Sequence, residues 1–369
     1  MTPKEIQQAI EKLKDLLNTS QYNEAKAFAF ELLEIKEIQD DVESTALIYK
    51  LLGLTFKQLS DYSNALDSYA KSLHNYKEIG NKSGISANLH NIGTVFSELS
   101  DYPKALEYYE KAKHINEEIG NKNYLAINLG NIGNVYNSLS NYSKALEFYE
   151  KALLLDEEIG NMEGIARHLG NIGQIYHSLS DYPKSLEYIE NALSIVEGIG
   201  SKEGIATVIG KIGMIYTSIS DYPKAIYYHE KALQIYEEIG NKSGIASNCS
   251  NLGNIYKNIS NFTKALEYYV KALQINEEIG RKRGIANNIG YIGNVYKNLF
   301  EYPKAKEYLI KANSLSLEIG TKSHSMEFLK DLSEVYEKMG DKSTAYDYYK
   351  EYITLEKRDS FRRSKKTSR

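Results

Sequence analysis

The stretch NIGNVYNSLSNYSKALEFYEKALLLDEEIG, Asn131 to Gly160, recurs along the chain with little change and no insertion. Tyr62, Tyr102, Tyr142, Tyr182, Tyr222 and Tyr302, with Phe262 in the same series, fall at a fixed step of 40 residues. A period of about 20–50 residues marks stacked supersecondary units, none of which can bury its apolar face without its neighbours. The 369 residues are therefore expected to form one elongated array whose length counts units.

Each unit reads as two helices. Leu129, Ile132, Tyr136 and Leu139 mark one face of a helix A over 124–139, and Ala145, Leu146, Tyr149, Ala152 and Leu153 one face of a helix B over 142–158. Inside a unit the link is Ser then Asn or Asp before the aromatic, often with Pro next, as in Asp101-Tyr102-Pro103 and Asp181-Tyr182-Pro183. Such an N-cap accepts bonds from free amides, and Pro in the first turn gives up an amide that had no partner. Between units, Gly120 of Ile119-Gly120-Asn121-Lys122 suits the left-handed position that ends helix B. Both links are short, so successive helices must run antiparallel. Gly93, Gly133, Gly173, Gly213, Gly253 and Gly293 lie inside helix A, where each costs up to about 1 kcal/mol of helix propensity. Close approach of helix B, with Ala105, Ala145, Ala225 and Ala265 opposite, is the expected offset.

The ends differ. Ile6, Ile10, Leu13 and Leu17 predict a helix over 3–18, followed by a second over 22–38, and Leu13 stands where later units carry glycine. In the last unit the alanine of Ala112, Ala152, Ala192, Ala232, Ala272 and Ala312 becomes Tyr352, and the helix-A glycine becomes Ser333. A bulky residue fits there if no further helix packs on it. The division is thus 1–40, an N-terminal capping pair; 41–320, seven 40-residue units; 321–358, a C-terminal capping unit; and 359–369, a basic tail expected to be disordered.

Composition narrows the function. With 45 basic and 49 acidic residues the net charge is −4, which gives no basic face for nucleic acid. The opening MTPKEIQQAIEKLKDLL has no apolar run, so neither a secretory signal nor a membrane span is expected, and the chain reads as cytoplasmic. Cys249 is the one cysteine and occupies the position of Leu129, Leu169 and Ile209, which predicts a buried thiol. The pairs Glu117-Glu118, Glu157-Glu158, Glu237-Glu238 and Glu277-Glu278 recur at the end of helix B, and an active site is not copied in this way. They are expected to be solvated, with Glu118 near Lys122 and Glu238 near Lys242. His74 and His114 share a repeat position, but a metal needs three or four converging ligands. Gly130-Asn131-Ile132-Gly133 lacks the order of a phosphate loop. No catalytic, metal or cofactor set is expected, and most Tyr residues read as packing, with Tyr291 out of series and free for recognition.

The pattern resembles the tetratricopeptide repeat, whose small and large positions map in order onto Leu129, Ile132, Gly133, Tyr136, Ala145, Tyr149 and Ala152. The usual unit has about 34 residues and ends in Pro; here the Pro is absent and about six extra residues lengthen helix B and the turn after it. In that respect it is similar to the 40-residue subclass of Pins-type adaptors and kinesin light chains, and to arrays in bacterial signalling proteins. The resemblance implies an all-α fold, a right-handed α-solenoid of nine antiparallel helix pairs, with helix A lining a concave groove. It also implies a non-enzymatic scaffold for protein–protein interaction.

In that family the inward positions of helix A correspond to 127, 130, 131, 134, 137 and 138 of the quoted unit. One row is Asn91, Asn131, Asn171, Lys211, Asn251 and Tyr291; a second is Thr94, Asn134, Gln174, Met214, Asn254 and Asn294. A third, Ser97, Asn137, His177, Thr217, Lys257 and Lys297, turns basic toward the C-terminal half, and Arg167 adds to it. An Asn side chain both donates and accepts, so a ladder of them suits the backbone of an extended peptide, or else bonds its neighbours along helix A. Gly130, Gly170, Gly210 and Gly290 leave room either for a ligand backbone or for tight packing between successive helices A. The peptide-binding residues expected are Asn91, Asn131, Asn134, Asn171, Gln174, Lys211, Asn251, Asn254, Lys257, Tyr291, Asn294 and Lys297. The partner expected is a protein or peptide with acidic residues near the Lys257–Lys297 end, where rim charge would act on association rate. The Lys, Asn and Arg clamp of chaperone-binding relatives is missing, since Gly130, Gly170 and Gly210 stand there. A monomer or a weakly self-associating chain is expected. The alternative is a regulatory sensor module associated with a bacterial cyclase or histidine kinase.

Overall fold

The computed structural model describes the backbone of residues 1–367 and their side chains except those of 322, 323 and 358–367. Those residues form nineteen helices and no strand. They are α1 Pro3–Asn18, α2 Tyr22–Leu33, α3 Lys36–Gln39, α4 Val42–Gln58, α5 Tyr62–Glu78, α6 Lys82–Glu98, α7 Tyr102–Glu118, α8 Lys122–Ser138, α9 Tyr142–Ile159 and α10 Met162–Ser178. There follow α11 Tyr182–Gly198, α12 Lys202–Ser218, α13 Tyr222–Glu238, α14 Lys242–Asn258, α15 Phe262–Glu278, α16 Lys282–Asn298, α17 Tyr302–Glu318, α18 Lys322–Lys338 and α19 Lys342–Thr367.

Setting aside the four residues of α3, the helices pair in order, A with B, as α8 does with α9. The helix expected over 22–38 is broken: α2 stops at Leu33, Ile35 is extended, and α3 restarts the chain so that Ile38 is fully buried. At the other end α19 runs through Thr367, past residue 359 where the sequence reading begins a tail.

Both kinds of link are built alike. At the end of α8, Ser140 N–H donates to the carbonyl of Asn137 at 2.8 Å and Asn141 N–H to that of Tyr136 at 2.9 Å. At the end of α7, Gly120 and Asn121 make the same pair of bonds to Glu117 and Asn116. Each is a Schellman end, which needs one residue at positive φ. Between units that residue is glycine, as Gly120 at φ +68°; inside units it is serine, from Ser60 at +62° to Ser260 at +59°, then Phe300 at +61° and, in the last unit, Gly340 at +86°. The next residue caps the following helix: Asn141 Oδ1 accepts from Lys144 N–H at 3.2 Å, and Asp101 and Asn121 do likewise. From α4 onward one left-handed residue reverses the chain at each link, usually followed by a side-chain cap, although Arg281, Glu301 and Thr321 make no such bond.

Within a pair the core glycine is covered by a large side chain of helix B, most often a ring, rather than by alanine. A Cβ on Gly133 would lie 2.7 Å from the Tyr149 ring, and one on Gly93 2.8 Å from the Tyr109 ring with the Ala105 carbonyl next at 3.3 Å. Ile189, His229, Tyr269 and Leu309 cover Gly173, Gly213, Gly253 and Gly293 in the same way. A second ring pair closes the edge of the units from α6 onward. Tyr136 stacks on Phe148 at 5.4 Å, with Lys144 over the Tyr136 face at 5.0 Å and Lys151 over the Phe148 face at 5.4 Å. Tyr176–Tyr188, Tyr216–Tyr228, Tyr256–Tyr268 and Tyr296–Tyr308 repeat it, so much of the tyrosine content is amphipathic packing capped by cations.

The chain divides into two compact units, Met1–Gly244 and Ile245–Arg369. In the first, Ile6, Ile10, Leu13, Leu52 and Tyr69 belong to one buried cluster, and Ile189, Ala192, Val208 and Ile212 to another. In the second, Ile289, Leu309, Phe328 and Leu332 are packed together. Cys249 is buried.

Candidate functional site

The three rows of helix-A residues lie on one helix face, spaced three and four apart, and most are half-buried. Packing has already claimed several of their polar groups. In the first unit Asn131 sits between His90 Nε2, 3.2 Å from its Nδ2, and Asn134, whose Nδ2 donates to its Oδ1 at 3.0 Å. Asn134 in turn accepts the Tyr149 hydroxyl at 2.7 Å, as Thr94 accepts that of Tyr109 at 3.1 Å. The ring that covers the core glycine is therefore anchored by the second row. Gln174 Nε2 is 3.1 Å from His177 Nδ1, and Asn171 Oδ1 accepts the Lys211 ammonium at 3.4 Å. In the second unit Asn254 accepts the Tyr269 hydroxyl at 2.7 Å, and the Tyr291 ring packs on the Tyr269 ring at 5.3 Å, so Tyr291 is not free. Asn91 and Asn251 make no side-chain hydrogen bond to another described residue.

The inward glycines are filled by the next unit's helix A. A Cβ on Gly130 would lie 2.5 Å from the His168 ring and one on Gly290 2.1 Å from the Phe328 ring. Where this position is not glycine, the facing residue is a smaller amide: Asn128 Oδ1 lies 2.6 Å from His90 Nδ1, and Asn288 Oδ1 accepts from Ser250 Oγ at 2.9 Å. Tight packing, not an open floor, explains these glycines.

Charge also lies elsewhere than expected. The Lys297 ammonium is bound by Asp331 and, at 2.7 Å, by Glu334; Asn294 Nδ2 donates to Asp331 at 3.0 Å. Burial opposes the Lys297 charge, but these hydrogen bonds hold its pKa above the ordinary value. Burial lowers Lys257, with Glu327 and Asp331 opposing, and raises Glu327, to which Asp331 adds. The C-terminal end of these rows thus carries its own carboxylates, which offset the basic rim read from the sequence. Along helix B, Glu118 pairs with Lys82 at 2.5 Å and Glu238 with Lys202 at 3.4 Å, within a unit, while Lys122 pairs with Glu158 at 2.5 Å rather than with Glu118.

One buried pair escaped the sequence reading. Asp156 is fully buried, with its Oδ1 accepting from Asn161 Nδ2 at 2.8 Å and its Oδ2 3.1 Å from His168 Nε2. Burial raises the Asp156 carboxyl and depresses the His168 imidazole, so the ring is neutral. The signal in the sequence is partial: four pairs twelve apart match in polarity, Asn116 with Asn128, Asp156 with His168, Val196 with Val208 and Asn276 with Asn288, while Tyr236 with Asn248 and Ser316 with Phe328 do not.

One arrangement has the look of chemistry. His177 Nε2 is 2.7 Å from Ser218 Oγ, beside Gln174. Ser218 closes α12, where the unpaired backbone groups are carbonyls, the wrong sign for a developing oxyanion. Among the described residues no group of three or more His, Cys, Asp or Glu could hold a metal ion. None of their helices is long and apolar enough to cross a membrane.

Tetratricopeptide-repeat family models match residues 84–158, 164–238 and 247–279. A search of curated proteins by sequence finds no match. Among solved structures, a Rap protein complexed with competence and sporulation factor has a TM-score of 0.63 at 16% identity, covering 97% of this chain and 99% of that one. The Rap conjugation gene regulator of plasmid pLS20, in complex with a Phr peptide, gives 0.60 at 17% identity and 96% of each chain. The apo quorum sensor NprR from B. thuringiensis gives 0.57 at 16% identity, with 95% and 99% covered. Identities this low establish the shared helical-repeat fold alone. The repeat period, the ring-covered glycines and the matched family models together make this chain a member of the tetratricopeptide-repeat family.

Proposed function

We propose that this protein is a non-enzymatic interaction module whose helix-A face takes an extended peptide or disordered segment. The observation that carries this reading is Asn91 and Asn171 within Met1–Gly244, half-buried amides with hydrogen-bonding capacity left over after internal packing. Such groups favour a ligand that brings its own unpaired N–H and C=O groups, as an extended backbone does. The Rap structures named above hold a peptide or a signalling factor, which agrees with that ligand class.

The test is an array of ten-residue peptides probed with the full chain and with an Asn91→Ala variant. Asn91 makes no side-chain bond within the described protein, so the variant is expected to fold, which circular dichroism checks. Peptides held by the wild type and weakened about fivefold in the variant support the reading, since one hydrogen bond at roughly 0.5–1.5 kcal/mol would be lost. Equal retention by both removes Asn91 from the site.

A second reading is a regulatory sensor, favoured by the likeness to the quorum sensor NprR. It requires a ligand-driven change in the array, so small-angle scattering should show altered compaction when a bound peptide is added.

A further inference from the structure

We propose that the edge of Met1–Gly244 at Met162 and Gly198 is a docking notch for a basic segment of a partner protein, one that carries an apolar side chain between Lys or Arg residues. It is independent of the peptide reading of the helix-A face.

Elsewhere on this edge, residues thirty-six apart form ion pairs. Lys82 meets Glu118 at 2.5 Å, Lys122 meets Glu158 at 2.5 Å and Lys202 meets Glu238 at 3.4 Å, each lysine at the start of a helix A and each glutamate at the end of the following helix B. In α10 and α11 both members are replaced at once, by Met162 and Gly198. One replacement would have stranded a charge, whereas the two together leave an uncharged gap in a charged ladder. Nothing lies within 4 Å of a Gly198 Cβ, so the place of the missing glutamate is open. Met162 is 43% exposed, and the isoleucines that follow the two helices B, Ile159 and Ile199, are 39% and 41% exposed. At the same repeat position Ile279 and Ile319 are buried, so the fold does not require an open isoleucine there.

The charge left around the gap is acidic. Glu157 precedes Ile159, Glu163 follows Met162 and Glu197 precedes Gly198; all three are exposed and none has an ion pair among the described residues. The adjoining Glu158 and Glu238 are already held by Lys122 and Lys202, and the lysine that would have served here is Met162. A segment bearing Lys or Arg therefore meets uncompensated carboxylates, and an apolar side chain between them meets a thioether and two isoleucines beside an open space. The flexible methionine adapts to the shape of what enters. An acidic segment is repelled, and a basic one without an apolar residue gains only screened rim attraction.

The probe is a ten-residue peptide of Gly and Ser, blocked at both ends, with Lys-Lys-Leu-Lys-Lys at its centre. Two controls carry Ser for the Leu or Gln for every Lys, and binding to the full chain is read by fluorescence anisotropy at low salt. The wild type should hold the parent peptide about tenfold more tightly than the Ser control, the scale of partly burying one leucine. It should also prefer the parent to the Gln control. Met162→Lys/Gly198→Glu installs the residues of the adjoining units, keeps the net charge, and is expected to fold, which circular dichroism checks. It should weaken the parent peptide about tenfold, to the level of the Ser control. Glu157→Gln/Glu197→Gln changes exposed groups alone and keeps the notch open; it should weaken the parent about fivefold and leave the Gln control unchanged. Equal binding of the parent and the Ser control by the wild type means general charge attraction and overturns the inference. Undiminished binding by either variant, or no binding of the parent peptide by the wild type, overturns it as well.

Discussion

The glycines of helix A show how a residue that weakens its own helix strengthens the pair. Gly133 gives up helix propensity, yet the Tyr149 ring occupies its missing side chain and the Tyr149 hydroxyl reaches Asn134. Gly133→Ala should therefore destabilise by about 1–3 kcal/mol through overpacking against a buried ring. Gly198 has nothing within 4 Å of its Cβ position, so Gly198→Ala should stabilise by about 0.5–1 kcal/mol. Urea denaturation of the two variants decides it, and the same sign for both would refute the ring-covering account. Lys211 supplies a pH test. Its folded pKa of about 8 is below that of the unfolded chain, so the folded state binds fewer protons. The resulting penalty is fully present below pH 8 and fades as pH rises toward about 10.4. Wild-type stability should thus rise over that window relative to Lys211→Asn, measured by urea denaturation at pH 7.5 and 9.5; a constant difference would mean an ordinary lysine.

At the scale of the element, the two links per unit share one Schellman geometry but draw on different residues. Glycine takes the left-handed site after helix B at no steric cost, and again at Gly340, while serine takes it after the other helices A, except that Phe300 takes it in one unit with 76% of its surface exposed. A left-handed non-glycine residue costs about 1–2 kcal/mol, and an exposed ring recovers little of it. Phe300→Gly should raise the unfolding free energy by about 1 kcal/mol, read from the thermal midpoint and urea curves. No gain would indicate that the Phe300 ring, 6.3 Å from that of Tyr302, contributes more than its exposure suggests.

For the whole molecule, stability is built from neighbours. Each helix pair within Met1–Gly244 meets the next through side chains such as His168 over Gly130 and Lys211 over Gly170, so a local lesion should stay local. In Gly133→Ala, hydrogen exchange should accelerate in α8–α11 while α1 and α2 keep their protection. Acceleration spread evenly through residues 1–244 would show that this unit opens as a single cooperative block.

The sequence by itself determined the helical repeat, the antiparallel pairing and the buried Cys249. These depend on local chemistry, namely period, caps at Asp101 and Asn141, and glycine at Gly120, all of which a short window contains. It did not disclose the serine left-handed sites, because serine serves equally well in a cap or a turn and the choice falls to the fold. Nor did it separate the asparagines of the helix-A face. Asn134 and Asn254 are bound by tyrosines fifteen residues away, Asn131 by a histidine forty-one away, while the side chains of Asn91 and Asn251 make no hydrogen bond to another described residue. The lysines are the clearest case. Lys211 and Lys297 look alike on paper, and only the packing of helix on helix gives one of them two carboxylates and the other an asparagine, because charge pairing is decided by distance across the chain and not along it.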